Sequence, residues 1–180
     1  MKAAWILLAC TLAACSAEPE VDARNASAQE VAEQVADAGG TASFVRPGKW
    51  QSRMQIEQFE LPGAPPEAAS AMRAMQERLQ TGESCLEAED VKRPNGDFFG
   101  APGKNCRYDH FTMGGGKIDA VMQCSGDGTT QSMAMQGTYS ADAYQMRVSL
   151  NADAGAGPAG GMKMKMRVDA KRIGECDKVL

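Results

Sequence analysis

Six cysteines, one histidine and twelve methionines are the side chains of this 180-residue chain that could carry thiol, nucleophilic or soft-metal chemistry. His110 is alone, so a Ser-His-Asp or Cys-His mechanism would have to run through it, and no Gly-x-Ser-x-Gly elbow accompanies it. No two cysteines form a C-x-x-C pair, and zinc would need several His, Cys or carboxylate ligands. Gly114-Gly115-Gly116-Lys117 lacks the upstream glycine of a phosphate loop, and Ile118 stands where Ser or Thr is required; it reads as a hairpin turn. Glu87, Glu89 and Asp90 follow Cys85-Leu86 and suit the first turn of a short helix, where negative charge meets the positive end of the dipole. The expectation is a protein that is not an enzyme, with no catalytic residue and no cofactor.

Met133-x-Met135 and Met162-x-Met164-x-Met166 invite a metal test. Thioethers are soft donors that select Cu(I). On a strand this spacing sets sulfurs on one face about 6.5–7 Å apart, so one ion would need help from a neighbouring strand. Filling an irregular core is the simpler use of methionine. Core is therefore the expectation, and periplasmic Cu(I) binding is the alternative. Lys163, Lys165, Arg167 and Lys171 alternate with the last methionines as a basic stripe, which Arg147 could join. Such a stripe could meet anionic lipid headgroups or an acidic partner. The plainer reading is a charged edge strand that discourages aggregation.

The N-terminus sets the compartment. Lys2 precedes a short apolar run, Ala3 to Leu12, too short to span a bilayer. The run ends in Leu12-Ala13-Ala14-Cys15, the order of a bacterial lipobox: a Leu, two small residues and the Cys that takes a diacylglycerol before cleavage. Residues 1–14 are thus expected to be a lipoprotein signal peptide and Cys15 the acylated, palmitate-bearing first residue. Leu7-Leu8-Ala9-Cys10 is a second match, but it lies close to Lys2. Two or three acyl chains would hold the chain durably, since one alone binds only marginally. Ser16, where an Asp would favour inner-membrane retention, points to the periplasmic side of the outer membrane. Removing residues 1–14 takes away only Lys2, leaving 18 basic and 23 acidic residues and a net charge of −5. That excludes a nucleic-acid footprint. The membrane and an unidentified envelope partner are the expected contacts.

The elements that must position these residues follow from periodicity. Residues 15–44 read as a lipidated flexible tether, rich in Ala, Glu, Asp, Ser and Gln, with no aromatic before Phe44. Within it Ser27 and Glu30 have capping-box spacing, Val31 and Val35 share a helical face, and Gly39-Gly40 would end a short helix. Residues 45–180 make one domain of ordinary size. In Lys49–Phe59, Trp50, Met54 and Ile56 alternate with Gln51, Arg53, Gln55 and Glu57, a half-buried strand. Pro65-Pro66 opens a helix over about 66–80, with Ala68, Met72, Met75 and Leu79 on the face that would cover the sheet. Strands then follow at 106–113, 117–125, 129–139, 144–150 and 162–171, joined by glycine turns. The expected fold is mainly β (α+β minor): an antiparallel meander of about six strands, an open curved sheet or partial barrel, with one covering helix.

Four cysteines remain after the signal and the lipid site: Cys85, Cys106, Cys124 and Cys176. An even number in an exported domain implies two disulfides. A hairpin turning at Gly115 sets Cys106 opposite Cys124, which leaves Cys85 for Cys176. That pairing is preferred, and Cys85–Cys106 with Cys124–Cys176 is its rival. In the preferred register His110 and Thr112 would share the buried face with Cys106, Tyr108, Ile118, Ala120 and Met122.

Pro47-Gly48-Lys49-Trp50, Cys85-Leu86 before an acidic segment, two middle cysteines and the ending Lys171-Arg172-Ile173-Gly174-Glu175-Cys176 together resemble domain-of-unknown-function family 3617. The resemblance runs over about 45–178. It implies a small proteobacterial envelope protein, often a lipoprotein, and it implies no known activity. The Ala/Gly/Pro loop at 151–161 and the acidic N-terminal segment look peculiar to this chain.

Overall fold

The structure is a computed structural model; it describes residues 20–40, 44–67, 70–71, 74, 80–89, 105–126, 128–153 and 161–176. Eight strands form one antiparallel sheet: β1 (Val21–Ser27), β2 (Gly48–Glu60), β3 (Gln80–Leu86), β4 (Cys106–Gly114), β5 (Lys117–Gly126), β6 (Thr129–Ser140), β7 (Ala143–Asp153) and β8 (Met162–Gly174). Their order is β1-β4-β5-β6-β7-β8-β2-β3. β4 to β8 are the expected meander of hairpins; β2 returns to pair with β8 and carries β3 at the far edge. The sheet is open, with β1 and β3 as its edges.

β1 and β3 are the two strands that alternation does not announce. β1 buries only small side chains, Val21, Ala23 and Ala26, and β3 is exposed along nearly its whole length. Both are held by backbone pairing to one neighbour, so neither needs a strong apolar face.

The expected flexible tether is corrected here. Its residues 21–27 pair with β4, and Ala28–Asp37 form the helix α1. The capping box is present: the Ser27 hydroxyl accepts from the Glu30 amide at 3.2 Å, and the Ser27 amide donates to the Glu30 carboxylate at 2.6 Å. Val31 and Val35 are fully buried. They cover Tyr108 and Phe111 together with Phe44, Val21 and Ala23, in one cluster with Met113, Ile118, Ala120 and Met122. The composition misled because α1 turns its Glu, Gln and Asp outward and seals the core with two valines, with Ala28 and Ala32 packed beside them. Of the expected helix over 66–80, the described positions 66, 67, 70, 71 and 74 are helical and exposed. The apolar set Ala68, Met72, Met75 and Leu79 lies outside the described residues, as do residues 1–19.

The β4–β5 register corrects a second expectation. Cys106 faces Cys124, and Tyr108 faces Met122, as a turn at Gly115 requires. A bulge at Asp109 then shifts the pairing by one residue, because the loop is the two-residue Gly115-Gly116, both at positive φ. The slip reverses every side chain beyond it. Phe111 and Met113 enter the core, while His110 and Thr112 turn to the outer face.

Candidate functional site

Strand alternation puts Met113, Ile118, Met133, Met135, Met146 and Val148 on the inner face of the sheet, and they line a cavity of about 390 Å³. Trp50, Ser84 and Leu86 line the same cavity from β2 and β3. β3 and β4 stand near opposite ends of the strand order, so the sheet must curl to bring them around one space. The inner face therefore has two parts: α1 and Phe44 seal the β1–β4–β5 end, and the groove lies over β5, β6 and β7 toward β2 and β3. Among the described residues its lining is almost entirely apolar and carries no charged side chain; its polar groups are Ser84, Thr138 and the phenols of Tyr139 and Tyr144. The Tyr144 pKa is pushed up by burial. Such a space selects an apolar ligand, and methionines let it adapt to the ligand's shape.

The motifs that carry the family resemblance meet at one corner of this groove. The Trp50 indole donates to the Arg46 carbonyl at 3.1 Å, and its ring lies 5.6 Å from that of Tyr144. The Arg46 guanidinium is paired with Asp142 in the β6–β7 turn. The Arg172 amide donates to the Asp142 carbonyl at 2.8 Å, and its Nε donates to the Pro47 carbonyl at 2.7 Å. Gly48 sits at φ +138°, and a Cβ there would come within 2.5 Å of Gly174 O and Arg172 Nε. Cys85 is bonded to Cys176, with Cα atoms 5.5 Å apart. This cluster is a clasp: it locks the start of β2, the β6–β7 turn, β3 and the end of β8 together, and so holds the curled sheet around the groove.

Cys106 is bonded to Cys124, with Cα atoms 4.0 Å apart, so the structure carries the preferred pairing rather than its rival. Cys85, Glu87 and Cys176 are the His/Cys/Asp/Glu group close enough to hold a metal among the described residues, and two of the three are consumed by the disulfide. Met133 and Met135 line the groove. Met162, Met164 and Met166 share the inner face on β8, where Met166 pairs with Val148 and Met164 with Leu150 of β7. β7 thus separates the two methionine sets by two ladder spacings, about 10 Å. On the strands flanking β6, Met122 of β5 is the register partner of Met133, and Met146 of β7 lines the same groove.

His110 meets the carboxylate of Asp119 on the outer face, and the Gln136 amide donates to the same carboxylate at 2.7 Å. The hydrogen bond from His110 holds the Asp119 pKa below the usual carboxylate range, with Gln136 adding to it. Thr112 donates its hydroxyl to the Asp119 carbonyl at 3.2 Å, so it is engaged with the backbone. Lys163, Lys165, Arg167 and Lys171 occupy the outer face of β8 as expected, but β8 lies between β7 and β2. The edge-protection reading of that stripe is therefore corrected: the sequence shows a strand's polarity, not its place in a sheet. Glu89 is helical, and Asp90 falls outside the described residues, as does Cys15.

Sequence reasoning placed Trp50 on one face of a half-buried strand and Tyr144, Met146 and Val148 within a further strand, but found no groove. Ser84, Leu86 and Val45 gave no signal, because only the curl of the sheet brings them to it.

No curated protein and no solved structure matches the chain. A family model described as "Protein of unknown function (DUF3617)" matches residues 45–176. The match takes in the clasp, both disulfides and the groove, and leaves β1 and α1 outside it. The chain is a member of this family of unknown function.

Proposed function

We propose that the protein is a lipid-anchored, non-catalytic binding module on the periplasmic side of the cell envelope, whose curled sheet holds an apolar ligand in the methionine-lined groove. The groove carries this reading: about 390 Å³ of apolar, uncharged space kept in shape by two disulfides and the Arg46–Asp142–Arg172 clasp. The lipobox ending at Cys15 supports the anchor, and two disulfides suit an oxidising compartment. Only residues 16–20 would separate the acylated Cys15 from β1, a reach of about 20 Å. The domain would then stay close to the bilayer, where apolar ligands are concentrated.

Native mass spectrometry of the chain extracted from membranes tests this. The expected species begins at Cys15, carries two or three acyl chains covalently, and holds a further apolar adduct that Met146→Arg removes. A chain beginning elsewhere without fatty acid would remove the anchor. An adduct indifferent to Met146→Arg would remove the groove.

A further inference from the structure

One row across the outer face of the sheet breaks a rule of strand pairing. Gln136 of β6, Arg147 of β7, Arg167 of β8 and Gln55 of β2 are successive register partners. Arg147 and Arg167 therefore stand directly opposite each other, where like charges destabilise a sheet. The neighbouring cations add to this: Arg53 lies opposite Asp169, and Lys165 is two residues from Arg167 on the same face. Asp169 takes Nε and Nη2 of Arg167, both at 2.9 Å, which leaves Nη1. Arg147 has no ion-pair partner among the described residues and is exposed. Between the two arginines lies a depression of about 220 Å³, lined also by Gln136, Thr138 and Gln145. Thr138 and Gln145 add hydrogen-bonding groups, while Gln136 already donates its amide to Asp119, and the depression sits on a chain whose net charge is −4.

We infer that this depression is a binding site for a phosphate-class oxyanion, held between the guanidiniums of Arg147 and Arg167 with Gln136, Gln145 and Thr138 around it. An anion there turns the Arg147–Arg167 opposition into a bridge. Guanidinium suits this ligand because its planar fork matches two oxygens of a phosphate. Arg147 and Arg167 stand on the outer face of the sheet, opposite the groove's methionines, so the site does not depend on the reading of that groove, although Thr138 and Met146 border both spaces. The phosphate can be a free ion or the diester of a lipid headgroup.

Thermal unfolding of the purified mature chain in a non-ionic detergent separates these sources. The additives are inorganic phosphate, glycerophosphoglycerol (a headgroup without acyl chains) and chloride at matched ionic strength. At least one phosphate ligand should raise the midpoint by several degrees beyond chloride, and the one that does identifies the source. Arg147→Gln should abolish that increase and, without phosphate, leave the midpoint equal to or above that of the unsubstituted chain. Arg53→Gln, outside the depression, should keep most of the increase. No increase beyond chloride with either ligand would overturn the site. An undiminished increase in Arg147→Gln would do the same, as would a lower midpoint for that variant without phosphate.

Discussion

A methyl group at Gly48 would have nowhere to go, and this makes the Pro-Gly-Lys-Trp run a structural signature rather than a catalytic one. Gly48→Ala combines strain at φ +138° with a clash against Gly174 O. It should cost about 1–3 kcal/mol in urea unfolding, and with it the attachment of β2 to the end of β8. Two ionisations report on packing. Burial pushes the Tyr108 phenol up to about 12 from its ordinary 10. A raised pKa means stability is complete below the unfolded value and is lost as pH rises from about 10 to about 12. Ultraviolet titration should show this tyrosine ionising last, coincident with loss of structure. Asp119 behaves oppositely. Its lowered pKa contributes stability above the ordinary carboxylate range, and that stability is lost as pH falls through that range toward the lowered value. Asp119→Asn should flatten the acid limb of the stability profile. At this scale the sequence was legible where strict alternation held. It was misread at Asp109, where one extra residue reversed the faces of His110 and Phe111; its mark in the sequence is the apolar phase that shifts from Cys106 and Tyr108 to Phe111 and Met113.

Six of the eight strands follow from periodicity and turn glycines, because each has one buried and one wet face. β1 and β3 do not, because an edge strand is specified by its neighbour's free backbone groups more than by its own side chains. The same distinction explains α1. Its capping box and two valines were readable, but their docking on Tyr108 and Phe111 depends on strands far along the chain. The disulfides act at this scale. Cys106–Cys124 closes a short loop, with a sequence separation of 18, and Cys85–Cys176 a long one, with a separation of 91. In the chain-entropy account, replacing the first pair by serines should cost about 3 kcal/mol and the second about 4–5 kcal/mol. Denaturant midpoints of the two double variants should fall in that order. The second variant should also weaken ligand binding, since it frees β3 from the clasp that shapes the groove.

For the molecule as a whole, curvature is the property that no local pattern encodes. The alternating strands predict two faces; only the full register of eight strands, the clasp and the two bridges curl the inner face into a cavity. α1 and β1 lie outside the family match, yet they seal one end of that face. Deleting residues 20–40 should expose Tyr108, Phe111 and Met122 and drive the chain to associate, read as a larger species by light scattering. A monomer of unchanged stability would mean that the segment is a mere spacer. A Cu(I) titration should show no stoichiometric binding, because Met122 and Met135 are buried in the apolar core and Met133 and Met146 pack against it. If the groove takes an apolar ligand, the chain carries its own reporter. Trp50 lines the groove and is the only tryptophan after Trp5. Titrating the mature chain with a long-chain fatty acid while following Trp50 emission should give a saturable change at one ligand per chain, weakened about tenfold or more by Met146→Arg. An emission that never saturates, or a variant that binds as well as the original, would rule out the groove as a ligand site.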